Sequence, residues 1–381
     1  MKRLLLMVGV VLLAVSVAPA LAAQAGGNAP PAAAGAVDSA TLQQQIDELR
    51  ERLASLEEQL SATREAQKKT ESARAGEAKV HKLSGYLQLR YRNDDASAGT
   101  DEFLVRRARF IMSGDISPKT GYRIELQADS KVTGGGTGSK VQLRTAYIDQ
   151  LVGSGRVRFG QAVLPWGYEL EMSTADLWTG ERAFFMDRLF PEQRDIGVQY
   201  HWARPGGLGP EIDVGAFNGS GINTSEVDSS RDLMARLKLP FRNGSAAVSY
   251  YDGQGEVPIT TKDGRRLGAG AEYAWGPWSF LGEYVTGEDR GADVRGWYAQ
   301  LGTRLGQTPS TLFVKFDNYD EDTDLSDHEL NRWNLGYYYD LDPRNRLTLV
   351  YEHRDVGRLF TSSDRTKLDG NAYWLQWRVK Y

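Results

Sequence analysis

The 381-residue sequence predicts an all-β fold: a 16-stranded antiparallel transmembrane β-barrel preceded by an α-helical coiled-coil segment. Three observations carry this expectation. From Ser84 to the last residue, apolar and polar side chains alternate with period two, as strands with one apolar face require. The segments showing this pattern number sixteen, an even count. The connections between them take turns between short and long over some 300 residues, which a soluble sandwich would not explain.

The chain begins with Lys2 and Arg3, a mostly apolar run from Leu4 to Val17, and Ala20-Leu21-Ala22. That order is a secretory signal, cleaved near Ala22, and the apolar run is too short to span a bilayer. Residues 23–37 are mainly Ala, Gly and Pro without charge and read as a flexible linker. Between 38 and 72, Leu42, Ile46, Leu49, Leu53, Leu56 and Leu60 recur at spacings of four and three, a heptad seam of a periplasmic coiled coil. Three heptads are marginal alone, so the coil relies on another contact to hold the chains together. A second linker, 73–81, leads into the barrel, 82–381.

The strands are placed near 83–92, 103–114, 120–130, 140–151, 155–163, 194–202, 210–218, 231–240, 245–252, 265–274, 278–286, 294–304, 311–318, 331–340, 346–355 and 371–381. Each even-to-odd connection is short and built from turn residues, such as Arg242-Asn243-Gly244 or Asp342-Pro343-Arg344. Nearly all odd-to-even connections are longer and polar, such as 93–102 and 356–370. In lipid an open sheet edge has no hydrogen-bond partners, so the sheet is expected to close. Aromatics near strand ends (Tyr86, Tyr122, Trp202, Trp278, Tyr284, Trp297, Trp333, Trp377 and Tyr381) suit interfacial girdles against outer-membrane lipid.

One connection is out of scale. Residues 164–193 hold no convincing strand, yet include Trp166, Trp178, Phe184, Phe185, Met186, Leu189 and Phe190, too apolar for a disordered tail. The expectation is a loop folded inward to constrict the lumen. Residues 82–163 carry 13 Lys/Arg against 8 Asp/Glu, and the polar face of those strands presents Arg90, Arg92, Arg107, Arg109, Arg123, Arg144 and Arg158. In the loop Glu169, Glu171, Asp176, Glu181 and Asp187 outnumber Arg182 and Arg188. Two consequences stay open: a field across the lumen acting on permeating ions, or buried salt bridges that pin the loop.

Several function classes fall away. A formal charge of -4 and pI near 5.8 argue against a nucleic-acid footprint. Without cysteine there is no thiolate nucleophile or disulfide framework, and His81, His201, His328 and His353 form no ligand-spaced motif, so no enzyme, metal or cofactor is expected. The acidic stretch Asp320-Glu321-Asp322-Thr323-Asp324 begins like a calcium loop. Leu325 stands where that loop needs glycine and Asn331 where it needs glutamate, so a solvated loop facing lipopolysaccharide is the expectation.

The run Phe103-Leu104-Val105-Arg106-Arg107-Ala108-Arg109-Phe110, with Tyr122-Arg123-Ile124-Glu125-Leu126, resembles the phosphate-selective porin O/P family. So do Ala146-Tyr147-Ile148-Asp149, Val157-Arg158-Phe159-Gly160-Gln161, Pro165-Trp166-Gly167 and Glu181-Arg182, with the likeness strongest over 100–200. The resemblance implies a trimeric outer-membrane porin with an inward third loop and an arginine-lined, water-filled pore passing small hydrophilic solutes, anions such as phosphate among them. Residues 164–193 contain no lysine, so lysine-based phosphate capture is not carried over. General porin behaviour without anion preference, and a barrel-anchored tether acting through the coil, remain the alternatives.

Overall fold

The computed structural model describes residues 39–76, 81–96, 100–129, 140–204, 208–226, 229–253, 264–289, 291–360 and 368–381. The expected signal (1–22) and linker (23–37) lie outside the described residues.

Helix α1 runs Ser39–Gly76, four residues past the expected end of the heptad region. Its length follows from an almost unbroken run of Gln, Glu, Arg, Leu and Ala, all good helix formers. Pairs such as Arg52–Glu48, 2.9 Å apart, add i,i+4 support. Within this unit Leu49, Leu53, Leu56 and Leu60 are 53–63% exposed, so the seam is present and uncovered. The side chains of Leu42 and Ile46 are outside the described set.

The second unit is a closed barrel of sixteen antiparallel strands. They are β1 (Lys82–Asp94), β2 (Thr100–Ser117), β3 (Thr120–Asp129), β4 (Lys140–Val152), β5 (Gly155–Val163), β6 (Arg194–Ala203), β7 (Glu211–Phe217) and β8 (Asp232–Phe241). The other eight are β9 (Gly244–Gly253), β10 (Gly264–Trp275), β11 (Trp278–Asp289), β12 (Ala292–Arg304), β13 (Ser310–Asp320), β14 (Glu329–Asp342), β15 (Asn345–Val356) and β16 (Gly370–Lys380). Each strand pairs with its chain neighbours, and β16 returns to β1 with Leu89 opposite Trp377 and Arg92 opposite Trp374. That closure leaves no edge, as a lipid surrounding demands.

Alternation is visible in burial. On β16, Tyr373, Leu375 and Trp377 are exposed on the outside, while Ala372, Trp374, Gln376 and Arg378 are buried within. On the outer face, Trp278, Trp297, Trp333, Trp377 and Tyr381 remain exposed. Tyr86 departs from the expected girdle. Its parity matches Gln88, so it points inward and its hydroxyl meets that of Thr174 at 2.6 Å. The connection between β11 and β12 is also shorter than expected, because both strands extend until only 290–291 separate them.

Among the described residues, four register shifts interrupt the strand pairing, and two of them bear on the lumen. Between β1 and β2, Gln88 pairs with Arg107 but Leu89 with Val105, leaving Arg106 as the extra residue. Between β3 and β4, Glu125 pairs with Thr145 and Leu126 with Leu143, leaving Arg144 as the extra residue. Each of these two bulges turns an additional arginine toward the inside.

Candidate functional site

Residues 164–193 pack against inward faces of the barrel. The segment contains one short helix, α2 (Phe184–Leu189), and a 3-10 turn at Pro191–Gln193. Leu164, Trp166, Leu170, Phe185, Met186, Leu189 and Phe190 are no more than 1% exposed. Phe190 meets Tyr251 of β9, Phe185 meets Tyr298 of β12 and Trp178 meets Phe313 of β13, with ring centroids 5.6–6.2 Å apart. Burying each such side chain is worth about 1.5–3 kcal/mol, enough together to hold the segment down.

Polar groups fix its register. The amides of Tyr168 and Glu169 donate to the Glu283 carboxylate at 3.0 and 2.7 Å, and the Tyr298 hydroxyl donates to it at 2.7 Å. Glu169 is paired with Lys315 of β13 and accepts from the Ala183 amide. Gly167 has φ +51°, and a Cβ there would fall 1.8 Å from a Glu283 oxygen, so this approach needs glycine. On the opposite side Gln88 donates to the Thr174 carbonyl at 2.9 Å. The segment therefore touches both walls.

Three guanidiniums converge on Glu181. Arg90, Arg106 and Arg107 each place a nitrogen 2.7 Å from its carboxylate. Burial alone would raise the Glu181 pKa, but attraction to Arg106, Arg107 and Arg90 overrides it and holds the group well below the carboxylate range. Three positive charges on one negative leave this cluster with an excess of two.

The remaining wall arginines face other partners. Arg109 donates to Glu125 and Gln127 at 2.7 Å, and Arg123 reaches Glu125 at 3.2 Å. Arg158 pairs with Asp149 at 2.7 Å and lies over the Tyr147 ring. Arg92 is held by Asp94, with Glu352 at 3.9 Å. Arg144 reaches Glu192 and Gln193 at the end of the loop. Among the loop carboxylates, Glu171 pairs with Arg236 of β8, Asp176 with Lys380 of β16, and Asp187 accepts from Gln193 at 2.7 Å. Burial raises the pKa of both Asp187 and Glu171, against the pull of Arg182 and Arg236 respectively. Arg182 caps the carbonyls of Glu169, Leu170 and Met172, while Arg188 sits 3.9 Å from Glu321.

A basic wall facing an acidic loop thus reduces to Glu181 and Glu192. Glu169, Glu171 and Asp176 are neutralised from strands in the half of the chain whose total charge is negative, while Asp187 meets Gln193 and Arg182 of the loop itself. That half hides its cations because many of its carboxylates lie in connections, whereas Arg236, Lys315, Arg332 and Arg354 point inward. Arg332, Arg354 and Trp374 could have been found by parity, since they share faces with Asn334, Glu352 and Gln376. Arg106 could not, because only the bulge aims it.

Above the Glu181 cluster, toward the long connections, lies a cavity of about 350 Å³. Its strand side presents Arg90, Arg92, Arg106, Arg332 and Arg354; its loop side presents Arg182 and Arg188. Against these seven cations stand three lining carboxylates, Glu181, Asp187 and Glu352. Counting also Asp94, Asp317 and Glu321, which back the lining arginines, the balance stays positive by one. Leu104, Phe184, Leu330, Leu368 and Trp374 complete the lining.

Residues 66–358 match the family model for Gram-negative porins. The chain belongs to that family. It is a β-barrel channel of the Gram-negative outer membrane, a class that passes solutes by diffusion. Solved structures share its fold across 80% of its length. OmpF of Salmonella typhi, in complex with daunomycin, is 10% identical with TM-score 0.58 and is covered completely. OmpT of Vibrio cholerae in trimer form is 12% identical, TM-score 0.57, also covered completely. The outer membrane channel DcaP of Acinetobacter baumannii is 15% identical, TM-score 0.54, with 98% of it covered. At these identities the likeness is one of fold. No curated protein matches this porin in sequence.

Proposed function

We propose that this porin is a passive channel for small hydrophilic solutes that favours small anions, with residues 164–193 as its constriction. One observation carries the preference: the cavity beside the constriction carries seven arginines against three carboxylates. In a confined aqueous space with low-dielectric walls, such an excess raises the local concentration of anions and lowers that of cations. Arg90 lines this cavity, the wall arginines Arg107, Arg109, Arg123 and Arg158 would add to the field from the strands around it, and the uncovered Leu49, Leu53, Leu56 and Leu60 seam gives three copies a way to associate. Phosphate is one candidate among several anions, since the loop has no lysine to capture it.

The test is the reversal potential of the purified protein in a planar bilayer under a KCl gradient, with phosphate then titrated in. A potential on the chloride side supports the reading, and block by low phosphate adds the narrower selectivity. A cation-leaning potential would make it a general porin, and absence of conductance would return the tether.

A further inference from the structure

Among the described residues, three buried N–H groups on side chains lining the arginine-rich cavity have no acceptor: Nε1 of Trp374, Nε of Arg354 and Nε of Arg92. Buried donors of this kind normally find a partner, and three around one space are a pattern. Trp374 is 1% exposed, and its ring is fixed by Arg90 and Arg92, whose guanidinium carbons lie 5.0 and 5.7 Å from its centroid. The Arg354 side chain is 7% exposed. Asp94 holds the terminal nitrogens of both Arg354 and Arg92, and Glu352 lies 3.4 Å from Arg354, but neither carboxylate reaches the two Nε atoms.

The rest of the lining is wrong for an inorganic ion. Leu104, Phe184, Leu330 and Leu368 present apolar surface to the same space, and a fully hydrated phosphate or chloride gains nothing from it. A solute with a carboxylate at one end and a flat apolar body at the other uses both. The cavity volume sits at the lower end of small-molecule sites, roughly 300–1,000 Å³.

Building on the anion preference proposed above, we infer that this cavity is a discrete binding site for a small organic carboxylate. Its carboxylate would supply the acceptor that Trp374, Arg354 and Arg92 lack, once a small side-chain shift brings these now-buried nitrogens to the cavity surface, and its body would lie against Phe184, Leu330 and Leu368. The channel then binds such solutes on their way in, instead of only admitting them by charge.

The experiment uses the full-length protein reconstituted in planar bilayers, with benzoate as probe and acetate and phosphate as comparisons, each added to a constant KCl background. Benzoate is expected to interrupt the chloride current at concentrations about tenfold below acetate or phosphate. Trp374→Phe, which keeps the ring and removes the N–H, should weaken that block about tenfold, and Phe184→Ala should weaken it for benzoate more than for acetate. Trp377→Phe, on the outer face of the same strand, serves as control and should block like the parent. An anion-selective channel with no block by benzoate, or with equal block by benzoate and acetate, overturns the site and leaves the anion preference standing. Loss of anion selectivity in the parent protein overturns both. If Trp374→Phe fails to assemble, the Phe184→Ala comparison still decides the matter.

Discussion

Arg106 lays its guanidinium against Glu181 in a two-pronged contact, Nε 2.7 Å from Oε1 and Nη2 2.9 Å from Oε2. It does so from a position of β2 that strict alternation would not assign, the extra residue of the bulge facing Gln88 and Leu89. The planar fork matches a carboxylate in a way an ammonium cannot. Arg106→Lys keeps the charge and should hold anion selectivity near the parent, whereas Arg106→Ala should lower it; both lose the fork and should loosen the loop, seen as increased open-channel noise. Reversal potentials of the three channels, measured side by side, check this.

Removing the carboxylate acts in the opposite direction. Glu181→Gln leaves Arg90, Arg106 and Arg107 facing one another without their shared counter-charge. The chloride-to-potassium permeability ratio should rise about threefold, while docking of the loop weakens by about 3 kcal/mol. The ratio comes from reversal potentials and the weakening from increased open-channel noise.

The loop's far anchor is separable from its charge. Lys315→Met leaves Glu169 buried without a cation, a loss of about 3–5 kcal/mol in the loop's attachment. Gly167→Ala drives a methyl group into Glu283. Both variants should assemble as closed barrels, seen as normal heat-dependent gel migration, yet show larger and noisier single-channel conductance. A quiet, parental conductance in both would detach residues 164–193 from control of the current.

Acid should sharpen anion preference. The pKa values of Asp187 and Glu171 are raised, so these groups lose their charge earlier than ordinary carboxylates as pH falls. Their ionised forms are the ones burial opposes, so protonation relieves the loop. Glu181 lies on the other side: its lowered pKa keeps it charged, and its stabilising contribution intact, until pH drops through that lowered value. The permeability ratio should rise from pH 7 toward 5 without loss of channel integrity, and Asp187→Asn should flatten the rise.

The strand pattern was legible because a barrel in lipid obeys one rule repeatedly. Every strand must hide its polar face within, so Leu375, Trp377 and Gln376 declare their sides by parity alone. Charge pairing was less legible, because it depends on which strands meet across the lumen and on how far a loop reaches. Arg158 and Asp149 are neighbours through the pairing of β4 with β5, while Glu169 finds Lys315 from 146 positions away. The bulges hid Arg106 altogether, because a single inserted residue has no signature in an alternating sequence.

The arginine-rich cavity takes its strand walls from β14, β15, β16, β1 and β2, and so straddles the seam where the two ends of the barrel sheet meet. Arg354 and Trp374 are synthesised last, Arg90 and Arg92 more than 260 positions earlier. The chamber is therefore a product of the final zipping step. A chain caught with its seam unsewn would have a sheet and a loop but no anion chamber, and chemistry in the lumen would report whether the ring had been completed.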